Sequence, residues 1–435
     1  MDLTTRAVLR AIFSMQPTTR RALVEQTNLG SNRIGAAIPQ LVAQRLVREQ
    51  SLAGGMPGRP VGSLSLDPGA GTVIGLDIGG QESRAALCDF GGEVLHSLTR
   101  QTDAVPDQTV ILEGISHLVE DVCAEGGVPL PEVSALGVGV RGIVDVQSGV
   151  VLGWPNTPTW AAAWTGVNLP AELGERLAKD LVITEDSVRA MAVNAYRRGP
   201  ARECSSVLYL FLGSGVGSAL LIDGKPYYGG TGLAGELGHV TIDENGPWCS
   251  CGNRGCLEVL TSTEAVLQQV RTRLAESYVL SVLREPYQMG QVTLGALISA
   301  ARSGDKIAYQ VLDETGTHVG KVVAIALNLL GPELVVLGGP LIQDDGIVLE
   351  AVRRQVRLRA LQHIAIRTRI VADDQGELAG ARGAASLAID ALFRSDHHLE
   401  QVWSRSVSRA LDQRGHTSKV TVAHQPSAVS TTLRS

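Results

Sequence analysis

Apolar side chains recur at helical spacing near the start of the chain. Ala7, Val8, Leu9, Ala11 and Ile12 mark a first helix over residues 4–14, and Gln16-Pro17-Thr18 breaks it. A second helix is predicted over Thr19–Gln26, capped by Thr18 or Thr19, and Thr27-Asn28-Leu29-Gly30 reads as a tight turn. A third runs from Ser31 to Gln44, with Ile34, Ile38, Leu41 and Val42 on one face. Pro39 lies inside it, removes one backbone donor and crowds the preceding turn at a cost of about 3 kcal/mol, and Gly35 weakens the helix further. A kink or a shifted register is expected there. Leu46-Val47-Arg48-Glu49, the Gly- and Pro-rich stretch 53–60 and alternating Leu64-Ser65-Leu66 read as strand, loop, strand. Two short helices across a tight turn make a helix-turn-helix, and the hairpin behind them makes a wing.

From residue 73 the pattern changes to apolar strands separated by glycines. Val73–Ile78 runs into Gly79-Gly80, Ser83–Asp89 returns, and Gly91-Gly92 turns into Glu93–Thr99. A helix follows at 108–125, then a strand at Ala135–Val140 ending in Arg141-Gly142, then Val182-Ile183-Thr184 ending in Glu185-Asp186 and leading into a helix from Ser187. The second half repeats the theme. Val207–Leu212 turns through Gly213-Ser214-Gly215-Val216-Gly217 into Ser218–Ile222, and an apolar helix at 318–330 precedes a strand at Leu334–Leu337 and Gly338-Gly339. Strands alternating with helices imply a mixed α/β class, and two similar halves suggest two lobes around a cleft.

The expected division is a winged helix-turn-helix at 1–70, a first α/β lobe at 71–187, a second lobe at 188–394 whose last helix packs back on the first, and a tail at 395–435. In the tail, Leu399–Leu411 is predicted as one more helix and 412–435 as disordered.

Charge separates the head from the body. Residues 1–66 hold eight arginines against three acids, a net of +5, whereas the whole chain carries −6, which leaves −11 on the remainder. A basic head on an acidic body points to a nucleic-acid module joined to something else. In a winged helix-turn-helix the third helix enters the major groove by its N-terminal residues, so Ser31, Asn32 and Arg33 are the expected readers of base edges. Arg59, in the wing, is placed to reach a minor groove or a phosphate. No apolar run approaches the roughly 20 residues of a membrane span, and no secretory pattern opens the chain, so a cytoplasmic protein is expected. Cys88, Cys123 and Cys204 stand alone in apolar patterns and read as buried, reduced thiols.

The densest chemistry lies in Gly235-Glu236-Leu237-Gly238-His239 and the segment after it. His239, Cys249, Cys251 and Cys256 fall within eighteen residues. Three thiolates and an imidazole suit tetrahedral zinc, with glycines where the backbone must turn to aim the sulfurs at one point. The spacing argues against a nucleic-acid zinc finger, which needs two Cys and two His at other spacings with a helix between the pairs. Four protein ligands leave no open position, so the site reads as structural. Asp77, just before Gly79-Gly80, and Asp186, at the end of a strand, are the carboxylates placed for chemistry.

These motifs resemble the ROK family (repressor, open reading frame, kinase), and the likeness runs from about residue 4 to residue 390. Gly235–His239 looks like the family's E-x-G-H sugar motif, and Cys249–Glu258 like its C-x-C-G-x-x-G-C-x-E zinc signature. Asp77–Gly80 resembles the first phosphate loop, Gly213–Gly217 with its glycines 213, 215 and 217 the second, and Leu337-Gly338-Gly339 the adenosine segment. The resemblance implies an actin-like ATPase fold. It also implies sugar hydroxyls held by Glu236, His239 and Glu258, a segment near the sugar at Asn156, and Asp186 as the base of kinase members. Members that carry a winged head are typically sugar-responsive repressors.

Three residues depart from the kinase pattern. Gln81 stands where kinases place a threonine, Glu185 precedes Asp186 and adds a negative charge where a phosphate would approach, and Arg141 replaces a small residue before Gly142. These argue against efficient phosphoryl transfer, and hence against ATP as a working cofactor. Glu185 and Asp186 are then expected as sugar ligands. The resulting expectation is a repressor that binds operator DNA as a homodimer or higher homo-oligomer and responds to a sugar or sugar derivative. The alternative is an ATP-dependent sugar kinase with a vestigial head.

Overall fold

Three helices open the chain: α1 (Leu3–Met15), α2 (Arg20–Thr27) and α3 (Ser31–Ala43). The computed structural model in which they are seen describes residues 1–51, 62–102, 107–153, 164–276, 278–343 and 346–419. Asp2 caps α1 by accepting from the Thr5 amide, and Thr19 caps α2 through the Ala22 amide. Asn28 ends α2 in the left-handed region, at φ 54°, which a short polar side chain tolerates. Ile34, Ala37, Ile38 and Leu41 are the buried residues of α3, whereas Val42 faces water. Helix α3 runs through Pro39, which is exposed, so its missing donor lies on the solvated side. Strands β1 (Val47–Ser51) and β2 (Gly62–Leu66) pair antiparallel. The loop between them, with Arg59, lies outside the described residues.

The body holds two sheets of one design. The first contains β3 (Thr72–Ile78), β4 (Glu82–Asp89), β5 (Val94–Gln101), β6 (Val133–Val140) and β9 (Val182–Asp186) in the order β5-β4-β3-β6-β9. Helix α4 (Gln108–Glu125) precedes β6. The small hairpin β7 (Ile143–Asp145) and β8 (Val150–Gly153), followed by α5 (Leu169–Leu177), lies between β6 and β9. After α6 (Ser187–Arg198) the second sheet has β10 (Ser206–Leu212), β11 (Val216–Ile222), β12 (Lys225–Pro226), β13 (Leu334–Gly338) and β14 (Arg369–Ala372) in the order β12-β11-β10-β13-β14. In each sheet an antiparallel hairpin is extended by two parallel strands. Asp77, Arg141, Asp186 and Gly339 therefore all arrive at carboxyl ends of parallel strands, the edge where α/β sheets bind ligands.

Five helices separate the second hairpin from β13: α7 (Leu257–Thr261), α8 (Thr263–Glu276), α9 (Arg284–Gln288), α10 (Leu294–Arg302) and α11 (Lys306–Leu330). Then α12 (Ile347–Arg359) and α13 (Gln362–Arg367) precede β14. Helix α11 starts at Lys306, capped by Asp305, rather than at 318 as the periodicity suggests. Its Gly316 and Gly320 are poor helix formers, yet they sit where α12 crosses. A Cβ on Gly316 would lie 2.5 Å from the Val348 carbonyl.

Helix α14 (Ala379–Arg394) lies on the first sheet although it follows the second in sequence. A Cβ on Gly75 would strike the Ala381 carbonyl, and one on Gly137 the Ala384 carbonyl, so two strand glycines let the helix backbone rest on the sheet. The chain divides into two compact units inside this helix. One takes Thr72–Cys88 and Gly92–Ala391; the other joins Met1–Gly71 and Asp89–Gly91 to the chain from Leu392 onward. The second of these includes α15 (Asp396–Lys419), which continues helical beyond the 411 expected from sequence; 420–435 lie outside the described residues. Phe393 stacks on Phe13, and Asp396 and Glu400 pair with Arg6 and Arg10. The segment read from sequence as a tail is thus, up to there, part of the head's own fold.

Candidate ligand cleft and metal-binding loop

The carboxyl ends of both sheets open onto one cavity of about 670 Å³, a size that suits a small polar ligand. Asp77, Gly79 and Gly80 line it from the first sheet, together with Arg141 and Asp186. Gly215, Gly217 and Gly339 line it from the second. Glu236, His239 and Glu258 come from the loop and short helix that follow β12. Gly213 and Gly338 shape the turns instead of lining the cavity. A Cβ on Gly213 would press on the Phe211 ring, and one on Gly338 on the Tyr209 hydroxyl. Asn156 lies outside the described residues.

Backbone amides hold two of the acids, Asp186 and Glu258. Asp186 caps α6, accepting from the Val188 and Arg189 amides at 2.9 and 3.0 Å. Burial nevertheless pushes its pKa up to about 7, against the pull of Arg189 and with help from Glu185 and Glu236. Burial also raises Glu236, which His239 and Arg189 pull back. Glu258 is buried and accepts from the Val216 amide at 2.8 Å, which ties α7 to the second glycine hairpin. Asp77 accepts from the Ser187 hydroxyl at 2.7 Å, and burial raises its pKa. Asp186, Glu236 and Glu258 around His239 give a wall of acceptors, matched to hydroxyl groups that donate to them.

Glu185 is a correction. Neighbours on a strand point to opposite faces, so when Asp186 faces the cleft Glu185 faces away. It is buried, accepts from the Tyr228 hydroxyl at 2.6 Å and pairs with Arg189 at 3.3 Å. It does not line the cavity. Arg189 also donates to the Gly232 and Ala234 carbonyls, fixing the chain just ahead of Glu236. Nothing in the local sequence marks Arg189 for this role except its place four residues after Glu185 on a helix.

The Gly235–His239 turn needs its glycines. Gly235 has φ +106°, and a Cβ on Gly238 would strike the Val216 carbonyl. Next to it, one donor atom from each of His239, Cys249, Cys251 and Cys256 lies within 4.8 Å of the others. Tetrahedral zinc at usual bond lengths sets S···S edges of about 3.8 Å and N···S edges of about 3.5 Å. Here Cys251 Sγ and Cys256 Sγ are 3.6 Å apart, and Cys249 Sγ is 3.5 Å from His239 Nδ1. The donors fit the metal. Coordination through Nδ1 leaves Nε2 as the other polar atom of a ring that lines the cleft.

Arg141 is, with Arg84, a cation that lines this cleft. It donates to the Ser214 hydroxyl at 2.8 Å and to the Ser214 carbonyl at 3.3 Å, joining the end of β6 to the second glycine hairpin.

The model of the ROK family matches residues 73–391, well over half of the chain. The chain belongs to the ROK family. Among its relatives is the DNA-binding transcriptional dual regulator NagC of Escherichia coli, 26% identical over 371 residues, which are 83% of this chain and 86% of NagC. The glucokinase of Thermotoga maritima is 29% identical over 315 residues, 72% of this chain and 96% of the enzyme. A crystal structure of a ROK family transcriptional regulator, a homolog of the Escherichia coli MLC protein, superposes with a TM-score of 0.76 over 92% of this chain and 98% of its own, at 23% identity. Fold and family are thus shown: a mixed α/β, actin-like ROK body with a helical N-terminal region. Among the described residues no helix is long and apolar enough to cross a membrane.

Proposed function

We propose that this ROK family member is a sugar-responsive transcriptional repressor. The similarity to NagC covers 83% of the chain, more than the body alone can supply, while the similarity to a complete glucokinase covers only 72%. That difference in coverage carries the reading. The N-terminal helices and hairpin act as a winged helix-turn-helix, with Ser31, Asn32 and Arg33, all exposed at the start of α3, against base edges, and Arg59 against a minor groove or phosphate. Zinc on His239, Cys249, Cys251 and Cys256 fixes the loop that carries Glu236 and the helix that carries Glu258. Asp186, Glu236, His239, Glu258 and Asn156 take the sugar hydroxyls.

Two heads of a homodimer meet half-sites about one helical turn apart. A sugar that favours one arrangement of the lobes changes their spacing and releases the operator; a sugar indifferent to both changes nothing. A gel-shift titration of the full chain over its own upstream DNA, with and without sugars, tests this. Retardation unchanged by every sugar, and surviving deletion of residues 1–66, refutes it.

A kinase reading has one observation in its favour: Asp186 keeps its place at the cleft with a pKa near neutrality, as a general base requires. Sugar-dependent ATP turnover that Asp186→Ala abolishes would establish it.

A further inference from the structure

Cys88, Cys123 and Cys204 are buried, away from the metal loop. Burial pushes the Cys123 thiol up to about 11, which leaves little thiolate to react. The loop is different. Its Cys249 and Cys256 are buried, but Cys251 is exposed, alone in this among the described residues, which include all six cysteines. One donor of the zinc set is therefore open to solvent, although a structural metal gains nothing from an accessible sulfur.

The four donors also fall into two pairs. Cys249 Sγ lies 3.5 Å from His239 Nδ1, and Cys251 Sγ lies 3.6 Å from Cys256 Sγ. A disulfide holds its sulfurs at about 2.05 Å, so the second pair must close by roughly 1.5 Å. Gly252, directly after Cys251, has φ +94° and open space where a Cβ would stand, so nothing beside it hinders that shift. Cys256 is the residue just before α7, whose Glu258 lines the cleft, and His239 lines the cleft itself. A change of partner at Cys256 thus reaches the ligand site directly.

We propose that Cys251 and Cys256 are a redox-modification site: hydrogen peroxide joins them in a disulfide, zinc is released and the sugar pocket is lost. The exposed Cys251 thiolate attacks one oxygen of the peroxide; an S–O bond forms, the O–O bond breaks, and the departing hydroxide takes up a proton as water. The Cys256 thiolate then attacks the Cys251 sulfur; an S–S bond forms, the S–O bond breaks, and a second hydroxide leaves as water. Two electrons pass from the sulfurs to the peroxide. Cys249 and His239 alone remain as metal ligands, where a structural zinc site needs four. A thiol reductant reverses the bond. The regulatory consequence rests on the sugar-responsive reading of the cleft: the oxidised chain keeps its operator and ignores its sugar.

The test uses the zinc-loaded full chain, treated with hydrogen peroxide and quenched with catalase. A chromogenic chelator reads released zinc, and peptide mass mapping without reduction reads linkage. Calorimetry against a panel of hexose, N-acetylhexosamine and pentose sugars reads binding. Zinc release should track a Cys251–Cys256 linkage, with about two thiols lost for each metal ion, and dithiothreitol with added zinc should restore both. The sugar that the reduced chain binds should bind about tenfold or more weakly after oxidation. Cys251→Asp offers zinc an oxygen in place of the sulfur and should keep its metal at peroxide levels that strip the wild type. The linkage map is read on the wild type, so a variant that takes up no zinc leaves the test intact. Zinc that stays bound, a map showing a Cys249–Cys251 linkage or sulfinic acids instead, or unchanged sugar binding in the linked chain overturns the proposal. Linkage and zinc are read without sugar, so a reduced chain that binds no sugar refutes the cleft reading and leaves the disulfide standing.

Discussion

Phe393 stacks face to face on Phe13, with ring centroids 4.4 Å apart and planes 14° from parallel. Phe90 meets the same ring edge-on at 5.7 Å. Three aromatic residues from the start, the first quarter and the end of the chain thus form one cluster in the unit that carries the N-terminal helices. Around it Arg6 pairs with Asp396 and Glu400, and Arg10 donates to the Phe393 carbonyl at 2.8 Å. The carboxyl-terminal helix is a component of the head.

Removing that component is expected to loosen the head. Phe393 is 2% exposed, so Phe393→Ala deletes a buried ring at a cost of about 3–5 kcal/mol. Deleting residues 395–435 should leave the body's melting transition in place and raise amide exchange through α1. Hydrogen exchange by mass spectrometry reads both. Unchanged protection of residues 3–15 in either variant would contradict the packing.

The metal loop yields a second expectation. Cys251→Ser should lose bound zinc, measured by atomic absorption, and weaken effector binding by about 10–100-fold through misplaced His239 and Glu258, the usual scale for disturbing the surroundings of a metal site. Thermal melts with and without chelator should converge in the variant and differ in the wild type. Full zinc occupancy in Cys251→Ser would remove that residue from the ligand set.

A pH dependence follows from Asp186. Its folded pKa, about 7, lies above its ordinary value of 3.8 because burial disfavours the carboxylate. A carboxyl raised on folding contributes stability that is fully present below the unfolded value and is lost as pH rises through the folded one. The wild type should therefore lose stability between about pH 4 and 7 relative to Asp186→Asn. Asparagine still caps α6, so the cap itself is kept. Melting curves of both proteins at pH 5 and pH 8 give the comparison: the variant should gain on the wild type at the higher pH. A difference independent of pH would mean Asp186 is not held in its neutral form.

Asp186 and Glu185 also separate what a sequence can reveal from what it cannot. The carboxylate at the end of a strand, the glycine loops and the Cys and His spacing are local patterns with local causes. Which of two adjacent acids faces the cleft depends on the register of β9 against β6, which no local pattern encodes. Arg141 reads from sequence only as an obstacle to catalysis, because its partner Ser214 is 73 residues away. The ion pairs of Arg6 join residues nearly four hundred positions apart, so the last helix carries no visible sign of its role. Within α11, glycines that weaken a helix by propensity are the residues its close crossing requires.

Glu185 itself should behave as a structural residue. Glu185→Gln leaves Arg189 buried without its counter-charge, and breaking a buried pair costs about 3–5 kcal/mol. The melting temperature should fall while effector affinity, measured below the transition, changes little. Asp186→Asn should do the reverse, keeping the fold and weakening the effector. Equal losses of affinity in both variants would mean that Glu185 reaches the ligand after all.

Several of the head's arginines, finally, are already paired with acids. Arg6 and Arg10 are engaged by Asp396 and Glu400, Arg20 by Glu49 and Arg21 by Glu25. Arg33, exposed in the first turn of α3, has no such acid among the described residues. Arg33→Ala should therefore weaken operator binding by about 1–3 kcal/mol and relax preference at one base position. Arg21→Ala, which removes a solvent-exposed pair, should change affinity far less. Fluorescence anisotropy against operator and scrambled duplexes at fixed salt separates specific from nonspecific loss. If Arg33→Ala weakens both duplexes equally, its contact is to phosphate and the base-reading role passes to Ser31 and Asn32.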